Sequence, residues 1–402
     1  MPEHHHEGPP RKGGREMIKG LTAIINGNVF NAKEKCMEAK NLYYQKGKIV
    51  EGYQLKDAEE VIDAAGKYVL PGLIDLYAHY YYGGCNLGIN ADIVCPGQGV
   101  TTSVDAGSAG IMNFDSFYRS DITRAMTEIK AYINVSPEGV KAAYKHGETC
   151  DPDDMLYEEI FGFFKKYPDV IKGLKMRISK ETTEGYGLAP LEKSIEIANK
   201  IKEQGYPCIV AVHVANIPED APIEGVLKLL RKGDSYTHLY QNLGETIFDE
   251  NRHVKKFLYE ARKRGVLFET GNGNIHWSIN NLTDAYEEGF YPDIISSDLV
   301  QSSIWKRPSY GLINAMNTSL MCGMDQLDIL RAVTYNPAAA IGMEREIGTL
   351  EAGSRADIAI LDVMDVKQTF FDRFGGERES QRVFVPLMTI RGGKPVFRQS
   401  FF

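Results

Sequence analysis

Between residues 69 and 299 the chain repeats one pattern: a short apolar, β-branched run followed by a longer stretch with helical spacing. Runs at 69–79, 100–107, 130–136, 171–179, 207–214, 235–240, 266–273 and 293–299 read as strands. Between them, stretches such as 155–168, 190–205 and 223–233, each closed by Gly or Pro, read as helices. Strands alternating with helices predict a parallel sheet joined by crossovers. Eight such units predict an α/β fold, a (β/α)8 TIM barrel whose chemistry sits at the C-terminal ends of the strands.

The two ends of the chain break this rhythm. Residues 1–16 are polar, Gly- and Pro-rich and without periodicity, which predicts a disordered or tag-like tail whose His4, His5 and His6 carry no function. Short alternating runs separated by Gly, Asn and Lys turns occupy 17–68, and strand-like runs return over 345–402. The expected organisation is therefore a barrel over 69–344, flanked by a small β-sandwich built from 17–68 and 345–402. At 402 residues the chain is long enough for both cores.

Charge and cysteine usage narrow the function. A net charge of -8 leaves no basic surplus for phosphate, which argues against nucleic acid or an anionic membrane as partner and in favour of a small-molecule substrate. No apolar run approaches a membrane span and no secretory signal is visible. The cysteines at 36, 85, 95, 150, 208 and 322 lack CxxC spacing, so they are expected to be reduced and the protein cytoplasmic. Cys85 and Cys95 read as small buried hydrophobes.

The chemistry concentrates at the strand ends. In DLYAH the residues Asp75, Tyr77 and His79 alternate at period two, so carboxylate, phenol and imidazole share one face of the first strand. Outside the tail the histidines are 79, 146, 213, 238, 253 and 276, and three of these, His79, His213 and His238, fall at the ends of strands one, five and six. Imidazoles converging at a barrel mouth suit a metal site. Lys175 interrupts an otherwise apolar fourth strand, and a buried lysine needs a reason. Asp298 ends the eighth run, where a carboxylate can bind metal and accept a proton from water as a general base. Arg177 and Arg307 suit a substrate carboxylate. Ser103, Ser108 and Ser179 have no histidine at triad spacing, which argues against a serine nucleophile. The Tyr80–Tyr82 run, Tyr240 and Trp277 read as packing beneath the mouth, with a pocket for a flat or apolar substrate as the alternative.

From about residue 20 to 395 the chain resembles the amidohydrolase superfamily, whose first barrel strand ends in Asp-x-His-x-His. GVTTSVDAGSAG (99–110), DVIKGLKMRIS (169–179), GDSYTHLY (233–240) and SYGLINAMNTSLMCGM (309–324) are similar to a dihydroorotase-like branch of amidohydrolase/deacetylase metallohydrolases. Asn336-Pro337, Gly348-Thr349-Leu350 and residues 353–357 resemble that family's return to the β-sandwich. The resemblance implies a hydrolase of amides, cyclic amides or acyl esters of small molecules, dependent on a divalent metal. Zinc is the first expectation, with manganese or iron as alternatives and one ion, or two, per chain. It further implies metal ligation by His79, Lys175 as a carboxylated bridging lysine, His213, His238 and Asp298, with Asp298 as catalytic base. A homo-oligomer is also expected.

Three departures qualify the resemblance. Tyr77 stands where the family has histidine, Asn272 where the branch has Gly-His-Gly, and Val300 where a histidine is common. The metal position beside His79 is thereby weakened, whereas Lys175, His213 and His238 remain. Tyr77 becomes a candidate hydrogen-bond donor in catalysis, and Asn272 and His276 become candidate substrate contacts, with His276 placed to compensate for a lost imidazole. Two alternatives stay open. One is a barrel that has lost hydrolysis and serves as a binding or regulatory subunit; the other is a Tyr77-dependent, non-hydrolytic enzyme.

Overall fold

A computed structural model describes residues 17–140 and 148–402. The tail with His4, His5 and His6, and His146, lie outside the described residues. Seven parallel strands form one curled sheet: β1 (Leu73–Ala78), β2 (Val100–Ala106), β3 (Glu128–Asn134), β4 (Ile171–Ile178), β5 (Ile209–Val214), β6 (Ser235–Thr237) and β7 (Leu267–Glu269), paired in chain order. Side chains of β1 and β2 are buried throughout, as expected for strands covered on both faces.

The eighth run departs from expectation. Residues 293–299 form no continuous ladder; they bridge Glu269 to Ile294 on one side and Ala78 to Leu299 on the other, and so close the barrel between β7 and β1. Backbone bonds tie the run to both sides, from Thr270 N–H to the Ile294 carbonyl oxygen (3.1 Å) and from Asp298 N–H to the Tyr77 carbonyl oxygen (2.8 Å), while Ser297 turns its backbone N–H (3.0 Å) and its hydroxyl (2.5 Å) toward the Asp75 carboxylate. The expected first strand also divides. Tyr68–Pro71 pairs with Ile358–Phe371 and Asn28–Asn31, so it belongs to a flanking sheet and the barrel begins at Leu73 rather than at 69.

Crossover helices follow the expected spacing with shorter ends. Ala189–Glu203 starts with Pro190 in its first turn and buries Leu191, Ser194, Ile197, Ala198 and Ile201, an i, i+3/i+4 stripe facing the sheet. The run at 325–342 is two helices, Gln326–Ala332 and Tyr335–Ala340. Among the described residues no helix is long and apolar enough to cross a membrane.

The chain ends meet beside the barrel. A four-stranded sheet is formed by Lys48–Val50, Leu42–Gln45, Ile18–Ile25 and Ala58–Asp63. The six-stranded sheet runs Lys394–Arg398, Glu377–Arg391, Ile358–Phe371, Tyr68–Pro71, Asn28–Asn31 and Cys36–Ala39, in that order. Ile24, Val29, Leu42, Ile62, Val69, Ile358, Leu387 and Ile390 make one apolar core drawn from both sheets. The barrel core is separate and larger.

Candidate metal centre

Parallel register sets the level at which the site is built. Arg177 on β4 pairs with His213 on β5, His213 with Thr237 on β6, and Thr237 with Glu269 on β7, so these side chains leave the sheet on one side at one height. His238 follows Thr237 directly. Its backbone is left-handed (φ 72°), as is that of Asp298 (φ 46°), and such strain in non-glycine residues gathers at sites the surrounding fold over-determines.

Three imidazoles meet here. His238 Nδ1 lies 2.7 Å from the Gly271 carbonyl oxygen and must donate to it, which leaves Nε2 as an acceptor. That Nε2 accepts from His213 Nδ1 at 2.7 Å, and His213 Nε2 is buried with no partner among the described residues. The His276 ring stands 4.0 Å from His238 and 4.9 Å from His213, and one nitrogen from each of the three falls within 4.8 Å of the others. Burial, reinforced by the neighbouring imidazoles, holds His213 and His238 well below the ordinary histidine pKa, so both are neutral, the metal-binding form. The two glycines around Asn272 give this cluster its room: a Cβ at Gly271 would lie 2.8 Å from His238 Nδ1, and one at Gly273 2.6 Å from Asp298 Oδ2.

The β1 side is arranged differently. His79 Nδ1 lies 3.0 Å from Ser108 Oγ; because that hydroxyl donates to Asp105 (2.7 Å), it accepts from His79 and leaves His79 Nε2 facing the cavity. Asp298 sits between the two sides. Its Oδ2 accepts from His276 Nδ1 at 2.8 Å, while Oδ1 is 3.6 Å from His79 Nε2, too long for a hydrogen bond. Burial alone would push the Asp298 carboxyl up, but the imidazoles of His276 and His79 outweigh it and hold it far below the usual carboxylate range. The Tyr77 hydroxyl is buried with no partner among the described residues, and burial, with the Asp298 charge behind it, holds the phenol well above its ordinary value.

Lys175 is 2% exposed, and its Nζ lies 5.1 Å from the centre of the Tyr77 ring. Burial pushes its ammonium down from the ordinary lysine value, against the pull of Glu148. A cavity of about 290 Å³ opens above these groups, lined by Tyr77, His79, Lys175, Arg177, His213, His276 and Asp298 among others. Arg177 donates Nε–H to Ser179 Oγ at 3.2 Å, and among the described residues its guanidinium makes no ion pair. The donor chemistry fits a divalent metal: neutral imidazole nitrogens face one another in a buried pocket, with a carboxylate and a lysine beside them.

Other candidates lie elsewhere. Asn272 does not line the cavity; with Gly271 and Gly273 turning the loop at φ 48° and 52°, its Nδ2 is directed to Thr318 Oγ1 at 3.3 Å. Arg307 is likewise not among the lining residues. Tyr80 bonds Ser103 (2.6 Å), Tyr81 packs on Phe117 and Tyr240 donates to the Phe290 carbonyl, so this aromatic surface is packing. Cys85 and Cys95 are buried, with burial pushing their thiols up to about 11 and about 12. Glu148 had no signal in the sequence: it follows no motif, yet it is buried, lines the cavity, and neither carboxylate oxygen has a partner among the described residues.

Comparison with known proteins places this geometry. The sequence profile of the amidohydrolase family matches residues 207–396. A deacetylase of Brucella anthropi is 30% identical over 337 residues, covering 84% of this chain and 82% of the relative. Among solved structures, one titled an adenine deaminase matches with a TM-score of 0.84 at 26% identity, covering 94% of this chain and 99% of the other. One titled a dihydroorotase gives 0.83 at 28% identity over the same shares.

Proposed function

The chain belongs to the amidohydrolase family, and from that membership we propose a metal-dependent hydrolase that cleaves an amide, cyclic amide or related acyl bond of a small molecule. The observation that carries this reading is the buried pair His213 and His238, neutral and in contact at 2.7 Å at the ends of β5 and β6, beneath a cavity that also presents Asp298. The family generally binds a divalent metal. In this reading His213, His238 and Lys175 hold it, with His79 and Asp298 on the weaker side. When bound, such a cation supplies Lewis acidity toward water and the substrate carbonyl. Zinc suits imidazole donors best, with manganese or iron as alternatives. Its lowered pKa favours the neutral Lys175 amine, the form that carboxylation by carbon dioxide requires.

The chain's own groups divide the remaining work. Asp298 accepts the proton of the attacking water at Oδ1, since Oδ2 is engaged by His276. That proton then passes to the leaving group. Tyr77, neutral and with a free hydroxyl, donates a hydrogen bond to the carbonyl oxygen as charge develops on it. Arg177 takes a substrate carboxylate. A cavity of about 290 Å³ suits a small substrate, and the deacetylase name of the Brucella relative supports a short acyl group. Unpaired cysteines support a cytoplasmic setting, and the barrel fold a homo-oligomer.

The test is metal content together with hydrolysis of a panel of N-acyl and O-acyl carboxylic acids. His213→Ala and His238→Ala are expected to lose both at once; an active, metal-free variant would overturn the reading.

A further inference from the structure

We propose that His276 is a metal ligand, completing with His213 and His238 a three-imidazole site, and that Asp298 acts on it from behind as a positioning residue. This rests on the reading above that the barrel holds a divalent metal, and it changes who holds it.

The geometry argues from both ends of each ring. A ligating histidine uses one nitrogen for the metal and gives the other N–H to a carbonyl or carboxylate, which fixes tautomer and orientation. His238 meets this with Nδ1 on the Gly271 carbonyl oxygen (2.7 Å), and His276 meets it with Nδ1 on Asp298 Oδ2 (2.8 Å). On both rings Nε2 is thereby left as the donor atom, and His238 Nε2 lies 2.7 Å from His213 Nδ1, so a cation bound there takes the place of the proton that those two nitrogens share. The three donor atoms fall within 4.8 Å of one another, a spread that a single ion with nitrogen ligands about 2.0–2.1 Å away spans.

The placement of His276 is built rather than incidental. Its backbone N–H closes onto the Asn272 carbonyl oxygen at 3.2 Å, which folds the loop back over the barrel mouth. At Gly273 a Cβ would lie 2.6 Å from Asp298 Oδ2 and 3.2 Å from His276 Nδ1, so the residue is cut away where the carboxylate and imidazole meet. A lone ion pair between Asp298 and His276 has no need of two further neutral imidazoles within 5 Å of the second ring, at 4.0 and 4.9 Å. A cation shared by all three rings does account for them. Three imidazole ligands with a fourth position open to the cavity favour borderline ions such as Zn²⁺ and Co²⁺ over the harder Mn²⁺ or Mg²⁺.

The experiment is Co²⁺ titration of the full chain with His4, His5 and His6 changed to alanine, read by the visible ligand-field spectrum and by chelator competition. The parent is expected to bind one Co²⁺ with the intense bands of a four-coordinate site. His276→Gln should weaken binding by more than about 100-fold and change the band shape, beyond the effect of an outer-shell change. Asp298→Asn, which removes only the support, should weaken binding by about 10- to 100-fold and keep the band shape. His276→Cys should restore binding and add a thiolate-to-cobalt charge-transfer band, which guards against a Gln variant that fails for reasons of folding. If His276→Gln keeps parental affinity and spectrum while His213→Ala loses the metal, or if the Cys variant binds without the new band, His276 is no ligand although the metallohydrolase reading survives. If the parent binds no Co²⁺, both fall.

Discussion

The two walls of the barrel mouth, one built from β5 to β7 and the other from β1, face the same cavity with opposite provisions. On the first, His213, His238 and His276 bring nitrogens within 4.8 Å of one another. The rings are held by a left-handed backbone at His238 and by the glycines on either side of Asn272. On the second, the imidazole of His79 is tied to Ser108, whose hydroxyl donates to Asp105, and Tyr77 presents a hydroxyl with no partner among the described residues. In the proposed reading the first wall holds a cation and the second hydrogen-bonds what lies beside it. The lesson is that a barrel assigns chemistry strand by strand, so an imidazole missing from one strand end leaves the donor set of the opposite wall intact.

The sharpest way to break this contrast is to remove an imidazole from the rich wall. His213→Ala should abolish metal binding and lower kcat/KM by about a thousandfold or more, since a ligand is worth more than the 10- to 100-fold of an outer-shell group. Metal analysis alongside kinetics checks both losses in one preparation.

On the poor wall the expected loss is smaller and of another kind. Tyr77→Phe should leave metal affinity unchanged and lower kcat by about 100-fold, the order seen when a donor to a developing oxyanion is deleted. A change in metal content with this variant would erase the distinction between the walls.

Below both walls the barrel interior offers a control. Glu269 is buried on β7, bonded to the hydroxyls of Ser235 (2.9 Å) and Thr237 (3.1 Å), and burial pushes its carboxyl up to about 7. A carboxyl whose folded pKa is raised binds its proton more tightly folded than unfolded. The stabilisation is complete below the ordinary carboxylate pKa and is lost as pH rises through about 7. Asp75, raised to about 6 by its own burial, has the same sign. His213 and His238, held neutral by burial, contribute the opposite slope below about pH 6.5, so the readout is the difference between two proteins: between about pH 5 and 8 the metal-free parent should lose stability relative to Glu269→Gln by up to about 3 kcal/mol. Equal slopes for the two proteins would show that Glu269 does not titrate across this range.

Much of this was legible in the sequence because strand periodicity and strand-end position survive folding. The apolar runs marked the barrel strands, and His213 and His238 were visible as imidazoles at strand ends, where the structure brings them into contact. What escaped depends on loops and on exchanges between sheets. Val69 and Leu70 are as apolar as Leu73 and Ile74, so nothing in composition shows that the chain changes sheets at Gly72, whose N–H bonds the Asp357 carbonyl oxygen. The eighth run reads as a strand, but the turn of Ser297 toward Asp75 and the left-handed Asp298 interrupt its ladder. The sequence offers His276 as a compensating imidazole, but that it reaches the other rings while Asn272 turns away from the cavity depends on the loop that Gly271 and Gly273 reverse. Glu148 follows no periodic or motif signal, and its burial beside the cavity is a property of the fold alone.

The central claim is that one wall holds a metal and the other does not. It is tested most directly by elemental analysis of the full chain with His4, His5 and His6 changed to alanine, in parallel with the same chain carrying Tyr77→His. One equivalent of divalent metal per chain is expected in the first and two in the second, where the added imidazole joins His79. Two equivalents before Tyr77 is changed, or none in either protein, would contradict it.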